Sequence, residues 1–472
     1  MQNCSDWLLC GLADLGLATY AYLSQCLRKD LRNNKSFVPP RACTILIERM
    51  LDMPVKEIKR DYYIQKLDSA KNNGLIKVIS GMRRCGKTYI LMKLFYDHLI
   101  ADGVEDDHII RIALDDRRNK DLRNPDNILE HVDELLKDDK TYYLFIDEVQ
   151  MMDDFVDVLN SFLHISNLDV YVSGSNSKFL SSDIVTEFRG RSDQIRIYPL
   201  SFSEFMSVRE EDERDAWEEY WRFGGLPQVV LMESDEQKRE FLQSVFENTY
   251  KRDILDRHAI RKRSELDDVT RVIASSIGAL TSTRKIVQTF KSVSQVSTTR
   301  TTVEKYISYL EDSFLLESAI RYDIKGRKYI GSPVKYYFTD LGVRNALLGF
   351  RQMEETHIME NIIYNELKRL GYKVDVGSVQ VSEVNKNGKS VRKQTEVDFV
   401  VNMADQRFYI QSALALPTRE KTLQEEKSLM NISDAFRKII LVGGSVKPWH
   451  TEEGVLVLGL LNFLLNPETI YM

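Results

Sequence analysis

The sequence predicts an α/β chain: a parallel sheet with crossover helices, then a helical region and two smaller units. Three observations carry that reading. Short β-branched and aromatic runs, LIKVIS, HIIRIAL, YYLFIDE, LDVYVSGS and DQIRIYPL, alternate with helical patterns up to about Phe205. From Ser207 to about Ser275 charged amphipathic sequence takes over, broken only by FGGLP at 223–227. Beyond Leu280 a helix, a serine-rich turn and a second helix (TTVEKYISYLEDSFLL, to about Leu316) lead into a hairpin with Gly326 near its turn, and a small α/β unit follows.

At 472 residues the chain exceeds one ordinary core, so several domains are expected. The bounds are 1–49 for an N-terminal extension, 50–205 for the sheet, 206–279 for the helical lid, 280–350 for the helix-turn-helix with hairpin, and 355–466 for the last unit. A composition of 43% hydrophobic and 29% charged residues is that of a soluble globular protein. The net charge of -6 excludes a uniformly basic coat for nucleic acid but leaves room for local patches. Four of the five cysteines fall in the first 43 residues without a CxxC pair or a histidine cluster, which predicts a reduced, cytoplasmic protein without structural zinc. WLLCGLADLGLATYAYL, Trp7 to Leu23, is apolar but short of a span and contains Asp14, so no stable membrane association is expected. An anchor, an appended docking helix, and a functional chain that begins near Met50 or Met53 all remain readings of that extension.

The chemistry begins at Gly81-Met82-Arg83-Arg84-Cys85-Gly86-Lys87-Thr88, which fits G-x-x-x-x-G-K-[ST] between a strand and a helix. Backbone N–H groups of such a loop converge on phosphates, Lys87 reaches the terminal phosphate oxygens, and Thr88 can ligate Mg2+ at a helix N-terminus. YYLFIDE supplies the second half of a nucleoside triphosphate site: Asp147 for the Mg2+ shell and Glu148 to orient and polarise the attacking water. Ser173, Ser175 and Asn176 end the next strand and would face the γ-phosphate if the strands are neighbours. Arg189 and Arg191 would supply transition-state charge, in cis or from a neighbouring subunit. Cys85 offers a thiol whose modification would compete with nucleotide.

GMRRCGKT, FIDEVQ, SGSNSKFLSSDIVTEFRGR, YPLSFSEF and FGGLPQVV, in that order, closely resemble the archaeal and bacterial AAA+ ATPases that carry a C-terminal nuclease-like domain. That group is related to the signal-transduction NTPases with numerous domains, and the resemblance covers the chain from Met50 onward. It implies a P-loop NTPase core that binds and hydrolyses ATP with Mg2+. It also implies a lid whose Gly225, Leu226 and Pro227 pack near the nucleotide base, a winged helix, and a restriction-endonuclease-like domain.

Between Lys251 and Lys305 basic residues number twelve against six acids. Arg284, Lys285, Lys291, Arg300 and Lys305, with Lys325, Arg327 and Lys328 in the wing, would contact phosphates of double-stranded DNA in a salt-dependent way. A protein partner is the alternative use of a winged helix. In the last unit Glu360 and Asp398 match the first two acids of a restriction-endonuclease-like site, but Gln411 and Ala413 stand where the acid and lysine belong. Glu396 offers a partial substitute as a ligand, and no nearby residue in the sequence clearly replaces the lysine. The expectation is a folded, non-cleaving domain that binds DNA or serves as a docking surface, with an ATP-linked nuclease as the alternative.

Overall fold

The computed structural model describes residues 57–174, 188, 190–260, 262–293, 298–351, 353–384 and 390–472. The expectations for residues 1–49, and for a start at Met50 or Met53, lie outside them. α1 (Asp61–Ser69) leads into β1 (Ile76–Gly81), and β2 (Ile109–Ala113), β3 (Tyr142–Asp147), β4 (Leu168–Ser173) and β5 (Ser192–Ile197) complete a five-stranded sheet in the order β2-β3-β4-β1-β5. All its pairings are parallel. β1 and β3 are buried along their whole length, which is why they read as continuous apolar runs rather than alternating ones. The crossover helices are α2 (residues 87–101, π-wound over Ile90–Phe95), α3 (Pro125–Leu135) and α4 (Phe155–Phe162). Asn124 caps α3 and Pro125 opens it, so both orphan donors and the fixed proline φ favour that boundary.

The lid is helical, as its charge pattern predicts: α5 (Phe202–Met206), α6 (Glu213–Phe223), α7 (Pro227–Val230), α8 (Asp235–Val245), α9 (Arg252–Arg257) and α10 (Arg263–Ser275). A capping box between Ser201 and Glu204 starts α5. α11 (Thr283–Val293) and α12 (Arg300–Asp312) follow, then the hairpin of β6 (Leu316–Asp323) and β7 (Lys328–Phe338). The second helix ends at Asp312 rather than near Leu316, because Phe314 adopts φ 58° to turn the chain into β6.

After α13 (Leu341–Leu347) and α14 (Glu355–Arg369) come β8 (Lys373–Val384), β9 (Ser390–Met403), β10 (Gln406–Ala413), α15 (Arg419–Met430), β11 (Arg437–Val442), β12 (Trp449–His450), β13 (Leu456–Gly459) and α16 (Leu460–Leu465). These strands and the hairpin form one eight-stranded sheet, β12-β13-β11-β10-β9-β8-β6-β7, in which β6 pairs parallel with β8. The predicted separation of 280–350 from 355–466 is therefore corrected. The hairpin is the continuation of the last unit's sheet, and only its tip, Lys325 to Lys328, stands clear as an exposed turn.

The nucleotide-type core and the hairpin meet at Glu317. Its carboxylate accepts from Tyr198 Oη (3.0 Å) and Tyr364 Oη (3.3 Å) and pairs with Arg196 at 2.6 Å. Apolar packing is continuous from Ile79 under β1 through Phe223 in the lid to Ile363 in α14, so residues 58–472 fold as one unit. Among the described residues no helix is long and apolar enough to cross a membrane.

Candidate nucleotide site and a buried ion cluster

Strand order brings the predicted catalytic residues to one edge. β4 lies between β1 and β3, so the loop after β1, Ser173 at the end of β4, and Asp147 at the end of β3 share the carboxyl end of the sheet. Gly86 has φ 97°, a conformation that only glycine enters at low cost, and it turns the loop into α2. Lys87 is buried and donates to the carbonyls of Gly81 and Met82, both at 3.0 Å. Its ammonium is thus folded over the loop that a phosphate would occupy. Thr88 Oγ1 donates to Asp147 Oδ2 at 2.8 Å, and Ser173 Oγ donates to Asp147 Oδ1.

Burial raises the Asp147 carboxyl above its ordinary range, the hydrogen bonds from Ser173 and Thr88 oppose this, and the charges of Glu148 and Asp115 add to it. A buried carboxylate beside a hydroxyl is a hard-oxygen donor set, which fits Mg2+, and a bound cation would reverse the upward shift. Glu148 has φ 53°, which turns its side chain away from the line of β3, and Gln150 Nε2 donates to its carboxylate.

Met82 and Cys85 are buried in the core beneath the loop. The Cys85 thiol donates to the Ile197 carbonyl at 3.5 Å, so it points inward and the expected thiol handle on the nucleotide is corrected. Arg84 (φ 65°) reaches out to the lid instead, donating to Gln228 Oε1 at 3.0 Å and lying 5.3 Å from the Phe241 ring. Arg83 is half-buried beside it. The lid segment does pack against the loop: Pro227 Cγ is 3.6 Å from where a Cβ on Gly86 would lie. Gly225 holds its place through its carbonyl, which accepts from Leu200 N at 2.7 Å.

Arg191 is not brought to the site. It precedes β5, its carbonyl accepts from Ile76 N at the start of β1, and its guanidinium donates to Asn160 Oδ1 at 3.3 Å. With β1 running from Ile76 to Gly81 in parallel register, Arg191 lies at the opposite sheet edge, about 16 Å from the loop at ~3.3 Å per residue. That placement gives no support to a role in cis. Ser175, Asn176 and Arg189 lie outside the described residues.

Sequence reasoning missed Arg60, which belongs to no motif. It is buried, and it donates to the Cys85 carbonyl (3.1 Å), the Tyr198 carbonyl (2.7 Å) and Glu204 (2.9 Å). It therefore ties the phosphate loop to the segment after β5.

The second cluster also departs from expectation. Glu360 on α14 and Asp398 on β9 do converge, and a lysine from another strand lies between them. Lys335 of β7, buried, contacts Glu360 at 2.7 Å, Glu396 at 2.6 Å and Asp398 at 3.7 Å. Tyr337 Oη donates to Glu360 at 2.5 Å, and Ser412 donates through N and Oγ to Asp398 at 2.8 Å. Burial pushes the Glu360 carboxyl up. Burial opposes the Lys335 charge, but the carboxylates of Glu360, Asp398 and Glu396 hold it protonated. Gln411 faces Ser428 (3.4 Å) and Ala413 is buried, so β10 contributes neither acid nor lysine. The expectation that no neighbour replaces the lysine is corrected. Lys335 comes from a hairpin strand 63 positions before Asp398 in the chain, which the sheet topology brings near.

Residues 73–206 match the family model described as an AAA domain, and residues 214–354 match a domain of unknown function (DUF8612). The chain is 31% identical over 418 residues to an uncharacterized protein of Haemophilus influenzae, an alignment spanning 87% of this chain and 99% of that one. It is 29% identical over 366 residues to the uncharacterized protein MJ1544 of Methanocaldococcus jannaschii, covering 73% and 75%. Among solved structures, the Aeropyrum pernix ORC1 protein in complex with DNA is similar at 14% identity and a TM-score of 0.26, over 64% of this chain and 96% of that one.

Proposed function

The chain belongs to the same AAA-domain-containing family as its Haemophilus influenzae relative, and from that premise we propose that it binds and hydrolyses ATP and couples that cycle to its C-terminal half. The observation that carries the reading is the Thr88–Asp147–Ser173 hydrogen-bond set, with Lys87 and Glu148 on the same sheet edge. Mg2+ held by Thr88 and Asp147 would neutralise charge on the phosphate oxygens. Lys87 exchanges its two loop carbonyls for phosphate oxygens. Glu148 accepts a proton from the attacking water as the water oxygen bonds to the γ-phosphorus and the bond to the ADP oxygen breaks. Gln150 holds Glu148 and must share or release it for that step.

The proposed effector is a DNA-associated module. Arg284, Lys285 and Lys291 on α11, Arg300 and Lys305 on α12, and the hairpin tip Lys325, Arg327 and Lys328 are all exposed, which supports phosphate contacts. A second reading, a nucleotide-dependent switch for a protein partner, is favoured by the incorporation of β6 and β7 into the large sheet, which leaves only a short wing. DNA cleavage is not proposed, since β10 lacks the acid and lysine and the carboxylates of Glu360 and Glu396 are already engaged by the Lys335 ammonium. The test compares ATP hydrolysis with and without duplex DNA at low salt, for the wild type, Lys87→Ala and Glu148→Gln. Stimulation by DNA that both variants lose supports the first reading, and rates indifferent to DNA favour the second.

A further inference from the structure

The segment that follows β7 is tied to the lid more closely than to anything else. Asp340 is buried and caps α13, accepting from Val343 N at 2.9 Å through Oδ1. Its Oδ2 accepts from Gly225 N at 2.9 Å, and the backbone N–H groups of Gly342 and Leu226 also point to it. Gly224 (φ 76°) allows this approach, because a Cβ there would lie 2.5 Å from both carboxylate oxygens. Five residues on, Asn345 Nδ2 donates to the carbonyls of Trp221 (3.0 Å) and Arg222 (2.9 Å) at the end of α6. One short stretch therefore satisfies the orphan carbonyls that end α6 and the orphan N–H groups of the loop that precedes α7.

That loop has a second neighbour. Pro227 packs on Gly86, and Gln228 accepts from Arg84, so Gly224 to Gln228 spans from the phosphate loop to Asp340. Asp340 in turn is two residues beyond β7, the strand whose Lys335 holds the three buried carboxylates. Hydrogen bonds join the loop to Arg84 and to Asp340, and the chain itself joins Asp340 to β7.

We propose that Asp340 is the positioning residue that seats the Gly224–Gln228 loop against the phosphate loop and passes nucleotide occupancy to β7. The proposal rests on the nucleotide reading above and adds the residue that transmits it. A carboxylate suits the role because it accepts several N–H donors at once, whereas an amide of the same shape keeps one acceptor oxygen and turns an NH2 group toward the donors.

The experiment is hydrogen exchange on the full chain in the Glu148→Gln background, with and without MgATP, following three segments: 81–88, 224–228 and 328–347. The expected result is slowed exchange in all three on addition of MgATP. With Asp340→Asn added, 81–88 still slows, 328–347 no longer responds, and the concentration of MgATP giving half-maximal protection rises about tenfold, the loss expected for bonds to a charged acceptor. Gly224→Ala, which pushes a methyl group onto the same carboxylate from the lid side, should give the same pattern. Protection of 81–88 without any change in 328–347 in the Glu148→Gln protein overturns the proposal while leaving nucleotide binding intact. No protection anywhere overturns the nucleotide reading and the proposal with it. The first comparison needs no substitution at Asp340, so poor folding of that variant does not shield the idea.

Discussion

Lys335 Nζ lies 2.7 Å from Glu360 Oε1, and both side chains are buried at the seam between the hairpin and α14. Lys335→Ala would leave buried carboxylates without their cation, and it should lower the unfolding free energy by roughly 3 kcal/mol or more. Adding Glu360→Gln to that variant should recover part of the loss, since the amide needs no counter-ion. Denaturant titration of the two variants checks this. An equal loss in the double variant would mean that the pair is not the source of the effect.

Lys87→Ala should abolish ATP turnover, because its ammonium is the one folded over the loop where the phosphate oxygens would lie. Glu148→Gln should lower kcat by roughly 10^2- to 10^4-fold, the range for a general base, with KM for ATP little changed. Gln150→Ala releases the carboxylate that Gln150 holds, and steady-state kinetics should show a changed kcat at unchanged affinity.

Burial pushes the Asp340 carboxyl from 3.8 up to about 6, although backbone N–H groups oppose the shift. The folded protein then retains a proton that the unfolded chain releases between about pH 4 and 6. The associated stability is fully present below the unfolded value and is lost as pH rises through about 6, a change of roughly 3 kcal/mol. Asp340→Asn removes this contribution. The difference in unfolding free energy between wild type and Asp340→Asn should therefore move against the wild type across that window and be flat above pH 7.

Cys85 is buried with its thiol on the Ile197 carbonyl. A thiol reagent added to the native protein should label this position slowly, at a rate that MgATP leaves unchanged, and rapidly after unfolding. Mass-spectrometric quantification of labelling at Cys85 reads both rates. Fast native labelling that ATP blocks would place the thiol in the nucleotide cavity instead.

The parallel sheet was legible because its strands are short, apolar and buried, and because G-x-x-x-x-G-K-T and the Asp147-Glu148 pair are local patterns with one geometric meaning. The helical lid was legible from charge and period. Arg60, Lys335 and Asp340 were not, since each acquires its role from a partner distant in the chain: Arg60 from Tyr198, Lys335 from Glu360, Asp340 from Gly225. For Arg191 the sequence carries no sign of which end of a strand it occupies, and only the parallel register places it before β5, away from the phosphate loop.

The family match to DUF8612 ends at residue 354, between β7 and β8, which are parts of one sheet. The unit that recurs as a sequence block is thus not a unit that can be cut out. A fragment starting at residue 355 would present β8 as a raw edge with its β6 partner gone, and would also leave Glu360, Glu396 and Asp398 without Lys335. Anyone expressing the C-terminal half by itself should expect an aggregating product, and a soluble piece should begin upstream of β6.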